Sequence, residues 1–189
     1  MVAGGFVVLL YLIEAVDVAS GLALDRHGIV PRSTDGLQGV AFAPLLHHGW
    51  DHLFANTLPL LVLGFVLMLS GVGRGIAVTA VVWIVGGLGT WLTGASASLH
   101  VGASIVVFGW LSYLIVRGVF ARDAKQLLVG LLVLIVYGSA LWGVLPTQEG
   151  ISWQGHLFGA LAGVLAAWMF AGAARRTRAQ RTALPPSLR

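Results

Sequence analysis

Six stretches of this chain are apolar for about the length a helix needs to cross a hydrocarbon layer. They run over about residues 4–22, 50–69, 76–93, 102–119, 127–145 and 156–173. A spanning helix needs roughly 17–25 predominantly apolar residues. Only 10% of the 189 residues are charged and 58% are hydrophobic, with a mean hydropathy of +0.91. Soluble domains carry about 25% charge, and a domain of this length has no core large enough for so much apolar surface. The expectation is an all-α membrane protein: a six-transmembrane-helix bundle with a long first loop. The chain has no cysteine, which excludes disulfides, a thiolate nucleophile and Cys-based metal sites.

Gly, Pro and charge punctuate the spans at Ser70–Gly75, Arg117–Lys125 and Leu145–Gly155. Residues 23–49, with DRHG and PRSTDG, read as a long structured loop at the membrane interface. Thr90–Gly102 is small and polar and reads as a loop that re-enters the bilayer, which requires cover from protein or a wet cavity. No Lys or Arg precedes the first apolar run, so that run reads as a retained span rather than a cleaved signal. Two parts are expected: a membrane domain over 1–173, and a basic, disordered cytoplasmic tail over 174–189.

Orientation follows from the basic residues. With both termini cytoplasmic, Arg74, Arg117, Arg122, Lys125 and five arginines after residue 173 lie inside, and only Arg26 and Arg32 lie outside. The net charge of +4 and pI near 10.4 therefore read as a topology signal, and no nucleic-acid partner is expected. The expected surroundings are the lipid bilayer of the plasma membrane.

Polar side chains inside spans are costly and are functional candidates by default. His52 and Asn56 share one face near the outer end of the second span. Ser104 opens the fourth span. His156 opens the sixth, with Gly159 and Gly163 continuing its face as a small-residue strip. All fall at one depth. A serine hydroxyl needs a base, and His156 can serve. The oxyanion that follows needs donors, and Asn56, His52 and the Ser104 N–H can supply them. No acidic third member presents itself, so a Ser–His dyad is the simpler arrangement. Taken singly, Ser104 reads as a packing residue and Asn56 as helix glue; their joint placement argues for chemistry.

These residues resemble the rhomboid family of intramembrane serine proteases. HLFAN (His52–Asn56) matches the family's HxxxN. GASI (Gly102–Ile105) matches its GxSx motif, with Phe108 as the aromatic four residues on. GHLFGALAG (Gly155–Gly163) matches its HxxGxxxG sixth helix. In style the chain resembles short bacterial members of actinobacterial type. The resemblance implies a water-filled site open to the extracellular side, with Ser104 as nucleophile and His156 as base. Asn56, His52 and the Ser104 N–H would hold the oxyanion, and Gly102, Phe108, Gly159 and Gly163 would pack around the site. It implies no cofactor and no metal. The implied partners are single-pass or other transmembrane substrates, cut where a helix unwinds near its outer end. Two features depart from the family: Ile105 replaces the glycine that commonly follows the serine, and the usual Trp-Arg pair is missing from 23–49. If Ile105 strains the dyad, Ile105→Gly should turn over faster.

Three other readings compete. A rhomboid-like protein that binds helices without cutting them would not react with a fluorophosphonate at Ser104. A metal binder or transporter would use His47, His48, His52, His100 and His156, yet no Glu lies within these histidine clusters. A helix-packing scaffold or an anion channel would keep Ser104 as a packing residue, with Glu14 and Asp17 in the first span counting towards transport; the simpler reading of those two is hydrogen bonding to a loop or neighbouring helix.

Overall fold

The structure, a computed structural model, describes residues 2–147 and 150–183. Its helices are α1 (Val2–Ala19), α2 (Gly39–Phe42), α3 (Trp50–Met68), α4 (Val72–Thr93), α5 (Ser104–Ala121), α6 (Ala124–Tyr137) and α7 (Trp153–Ala183). Short 3₁₀ turns fill the first loop, and one extends α6 over Gly138–Val144. Among the described residues six segments are long and apolar enough to span a membrane, and no strand is present beyond a single bridge between Ile29 and His100. The chain is a multi-pass membrane protein with an all-helical bundle fold. The expected spans and observed helices agree to within a few residues, except at the end of the sixth, where α7 runs past 173. The segment read as a tail divides: α7 continues to Ala183, and 184–189 lie outside the described residues.

Thr90–Gly102 is only partly a loop, because α4 runs on through Thr93. The hydroxyls of Thr90 and Thr93 return to the carbonyls of Gly86 and Gly89 at 2.8 Å, so polar residues are satisfied inside a helix.

Helix α5 is the centre of the bundle. Of its residues 78% are buried, against 11% for the Ala124–Val144 segment at the edge. Its main partner is α7, and glycines set the distance. A Cβ on Gly163 would lie 2.1 Å from the Gly109 carbonyl oxygen, and one on Gly159 2.4 Å from that of Ile105. The strip read from the sequence is thus a backbone-to-backbone contact. At the far end Arg122 takes a left-handed conformation that ends α5, and Asp123 caps α6 by accepting from the Gln126 N–H at 3.0 Å.

The first loop is anchored without the Trp-Arg pair. The Arg32 guanidinium donates to the carbonyls of Leu92 and Gly94 and to Ser96 Oγ. Trp91 and Trp83 of α4 donate their indole N–H to Ser33 and Ala41. Alternating crossings bring the starts of α3, α5 and α7 to one end of the bundle, together with the first loop. A groove of about 790 Å³ beside α1 and α4 is lined by residues such as Phe6, Val40, Trp83 and Trp110 and offers no titratable group.

Candidate active site

Ser104 is the first residue of α5. The chain reaches it through Gly102, whose φ of +120° suits glycine alone. A Cβ there would also meet the His52 ring at 2.6 Å. The first loop grips this approach. Ala43 accepts the Gly102 N–H at 2.8 Å, and His47 Nε2 accepts the Ala103 N–H at 3.2 Å. The N–H groups of Val106 and Val107 turn back to the Ala103 carbonyl. The N–H groups of Ser104 and Ile105 therefore have no acceptor among the described residues. They are the orphan donors of a helix start, where negative charge is favoured.

His156 sits in the first turn of α7. Its ring stacks on Phe108 with centroids 4.0 Å apart and planes 8° from parallel. The Gly143 carbonyl lies 2.9 Å from its Nδ1. A carbonyl only accepts, so Nδ1 carries the proton and Nε2 is left with a free lone pair, the tautomer a general base requires. Asn56 is buried, and its amide donates to the His52 carbonyl at 3.0 Å, leaving its second N–H available. His52 Nδ1 accepts the His48 N–H at 3.4 Å, which leaves Nε2 as a donor. Ser104, His156, Asn56, His52 and Phe108 all line one cavity of about 710 Å³. Gly102, Gly159 and Gly163 are not in its lining: Gly102 lies against the His52 ring, Gly159 against the Ile105 backbone, and Gly163 against Gly109 and Ser112. The Ser104 hydroxyl has no hydrogen-bond partner among the described residues, so serine and imidazole share the cavity without bonding. Nucleophile–base contacts are often loose without substrate.

Ile105 is not a source of strain. Its side chain fills a slot lined by glycines: a Cβ on Gly86 would lie 2.6 Å from its Cγ2, and one on Gly155 3.1 Å from its Cγ1. Glycines on the facing helices supply the room that a glycine at 105 would have given. Ile105→Gly should therefore open a cavity and cost about 2–5 kcal/mol, as large-to-small changes in packed cores do, with no gain in turnover. Thermal unfolding beside a turnover assay checks this.

Two histidines weighed only as metal ligands have structural partners. His47 is fully buried, and burial with His52 beside it holds its pKa down to about 3. Its neutral ring contributes stability that is complete above the ordinary value of 6.5 and is lost as pH falls towards about 3. The adjacent pair in HHGWDH was the only sequence signal for it. His100 bonds Ser98 and Ser152. Among the described residues no three His, Asp or Glu side chains are grouped to hold a metal. Glu14 and Asp17 are buried near the first loop; Asp17 accepts the Leu24 N–H at 2.7 Å, and Asp25 pairs with His48 Nδ1 at 2.6 Å. Burial pushes the Asp25 carboxyl above the usual carboxylate range.

A polytopic helical bundle with a serine, an imidazole and amide donors around one cavity defines a class, and comparison with known proteins gives it a family. The rhomboid domain model matches residues 35–173, and the chain belongs to the rhomboid family. An uncharacterised protein of Mycobacterium tuberculosis (strain H37Rv) is 52% identical over 186 residues, covering 94% of this chain and 78% of its own. An uncharacterised protein of Mycobacterium leprae is 48% identical over 186 residues, covering 94% and 74%. A Bacillus subtilis protein named "Putative rhomboid protease YdcA" is 28% identical over 131 residues, covering 66% and 63%. No solved structure gives a significant match.

Proposed function

We propose that this protein is an intramembrane serine endopeptidase of the plasma membrane that cuts transmembrane helices near their extracellular end. One observation carries the reading: Ser104, His156, Asn56 and His52, from three helices distant in sequence, line a single cavity at the end of the bundle where those helices begin. Charge bias puts that end outside and both termini in the cytoplasm.

The chemistry follows from the tautomers. His156 Nε2 takes the Ser104 proton as Oγ bonds the scissile carbonyl carbon. The oxyanion is held by the Ser104 N–H, Asn56 Nδ2 and His52 Nε2. The imidazolium then returns its proton to the leaving amine, and water attacks the acyl-enzyme by the same route. Phe108 and the Gly143 carbonyl hold the ring through both transfers. The substrate peptide must be unwound, because a helical carbonyl is shielded by its own hydrogen bond.

The rival reading, a helix-binding member without activity, draws on the missing Ser104–His156 hydrogen bond. A fluorophosphonate probe decides between the two. Labelling that disappears in Ser104→Ala supports the protease; a protein that neither labels nor cleaves is the inactive binder. Asn56→Ala should slow cleavage, by no more than about 10²–10³-fold because it is one of several donors. Steady-state turnover of a single-pass substrate checks this, and a complete loss would mean that the other donors do not reach the oxyanion.

A further inference from the structure

Ser98, His100 and Ser152 form a hydrogen-bonded row in the cavity wall, and one proton arrangement satisfies it. Ser98 Oγ lies 2.6 Å from the Ala95 carbonyl, which only accepts, so the Ser98 proton is committed there. His100 Nε2, 2.8 Å from the same Oγ, must then donate. His100 is 6% exposed, and burial holds its pKa below the usual 6.5, so the neutral ring carries its single proton on Nε2. Nδ1 therefore accepts, and Ser152 Oγ at 2.6 Å donates. With its proton used, Ser152 Oγ accepts the Gly155 N–H at 3.3 Å, and the Ser152 carbonyl accepts the His156 N–H at 3.1 Å. Ser152 thus caps α7 at the turn that holds His156. On its other side His100 is paired by backbone to Ile29, with both bonds at 2.9 Å, four residues before Ser104.

We propose that His100 is a positioning residue that locks the start of α7, and with it His156, to the loop that delivers Ser104. The proposal rests on the protease reading. It gives the lock a pH sense. Protonation of Nδ1 would point a hydrogen at the Ser152 hydroxyl and remove its acceptor. The neutral ring's contribution is complete above about 6.5 and is lost as pH falls through the lowered folded value. The titratable groups that line the cavity with His100 are His48 and His52 around the start of α3 and His156 of α7. In the first loop, Asp25 and Arg32 have partners of their own: Asp25 is turned to His48, and Arg32 grips the 92–96 segment.

The test uses the full chain in liposomes with a single-pass substrate. Wild type, His100→Ala and His100→Asn are compared for kcat, KM and unfolding midpoint across pH. The asparagine Oδ1 reproduces Nδ1 as an acceptor for Ser152 but does not titrate. The alanine variant should lose about 10–10²-fold in kcat, the scale of a small misplacement of a catalytic group, with KM little changed. The asparagine variant should recover most of that at neutral pH. It should also lose less activity and less stability than wild type on acidification. Wild-type kcat in the alanine variant overturns the lock. So does asparagine no better than alanine, or an asparagine variant with the wild-type acid slope in both readouts. If wild type cuts nothing at any pH, the protease reading has failed. The melting curves then decide the lock alone: equal acid losses in wild type and His100→Asn overturn it, and a smaller loss in the variant supports it.

Discussion

Ser104→Ala is expected to abolish cleavage of a helical substrate, with a loss on the order of 10⁶ in kcat, the scale seen when one member of a nucleophile–base unit is removed. The variant should melt with wild type. The Ser104 hydroxyl makes no hydrogen bond to another described residue, so removing it costs the fold no partner; a change within about 0.5 kcal/mol is expected. His156→Ala should cost similar activity but is a less clean test. The ring stacks on Phe108 and bonds the Gly143 carbonyl, and alanine forfeits both, so stability should fall too. The double variant should be about as inactive as either single one, because the two groups act as one unit. The measurements are product formation and thermal unfolding of the same preparations. Cleavage that survives Ser104→Ala ends the proposed mechanism.

The second large effect is on the fold. Gly163→Ala should reach or exceed the upper end of the ~1–3 kcal/mol typical of overpacking. The new methyl would fall 2.1 Å from the Gly109 carbonyl oxygen and 2.2 Å from Ser112 Oγ. Gly109 is backbone and cannot turn away. Ser112 is held too, donating to the Ala160 carbonyl at 2.7 Å. Helix α7 must therefore back away from α5, and it carries His156, so activity should fall with stability. Gly172→Ala on the same helix is the control. Nothing lies within 4 Å of its added methyl, and alanine favours a helix over glycine by about 0.5–1 kcal/mol. That variant should melt no lower than wild type. If both variants melt alike, close packing of α5 on α7 is not what holds the bundle.

The spans were legible because crossing a bilayer is a local demand: about 20 apolar residues in a row satisfy it whatever surrounds them. The candidate serine, histidines and asparagine were legible because each stands at or near the start of a helix, beside small residues with a recognisable spacing. Thr90 and Thr93 fell both in the third span and in the expected loop, for an equally local reason. Polar residues near glycine look like a loop until their hydroxyls are seen returning to carbonyls one turn back. Whether Ile105 strains the site was not legible, because the glycines that accommodate it, Gly86 and Gly155, lie on other helices.

By itself, then, the sequence determined that the chain crosses the membrane six times, and it marked which polar side chains stand at the helix starts. Only the tertiary structure decided which nitrogen of His156 is free, which backbone donors beside Ser104 remain unused, and that His47 bonds the Ala103 N–H while His100 bonds Ser98 and Ser152. Hydropathy is a property of neighbours along the chain. A proton's position or a donor's vacancy depends on the acceptor facing it, and here that acceptor comes from a distant segment brought close by glycine-to-backbone packing.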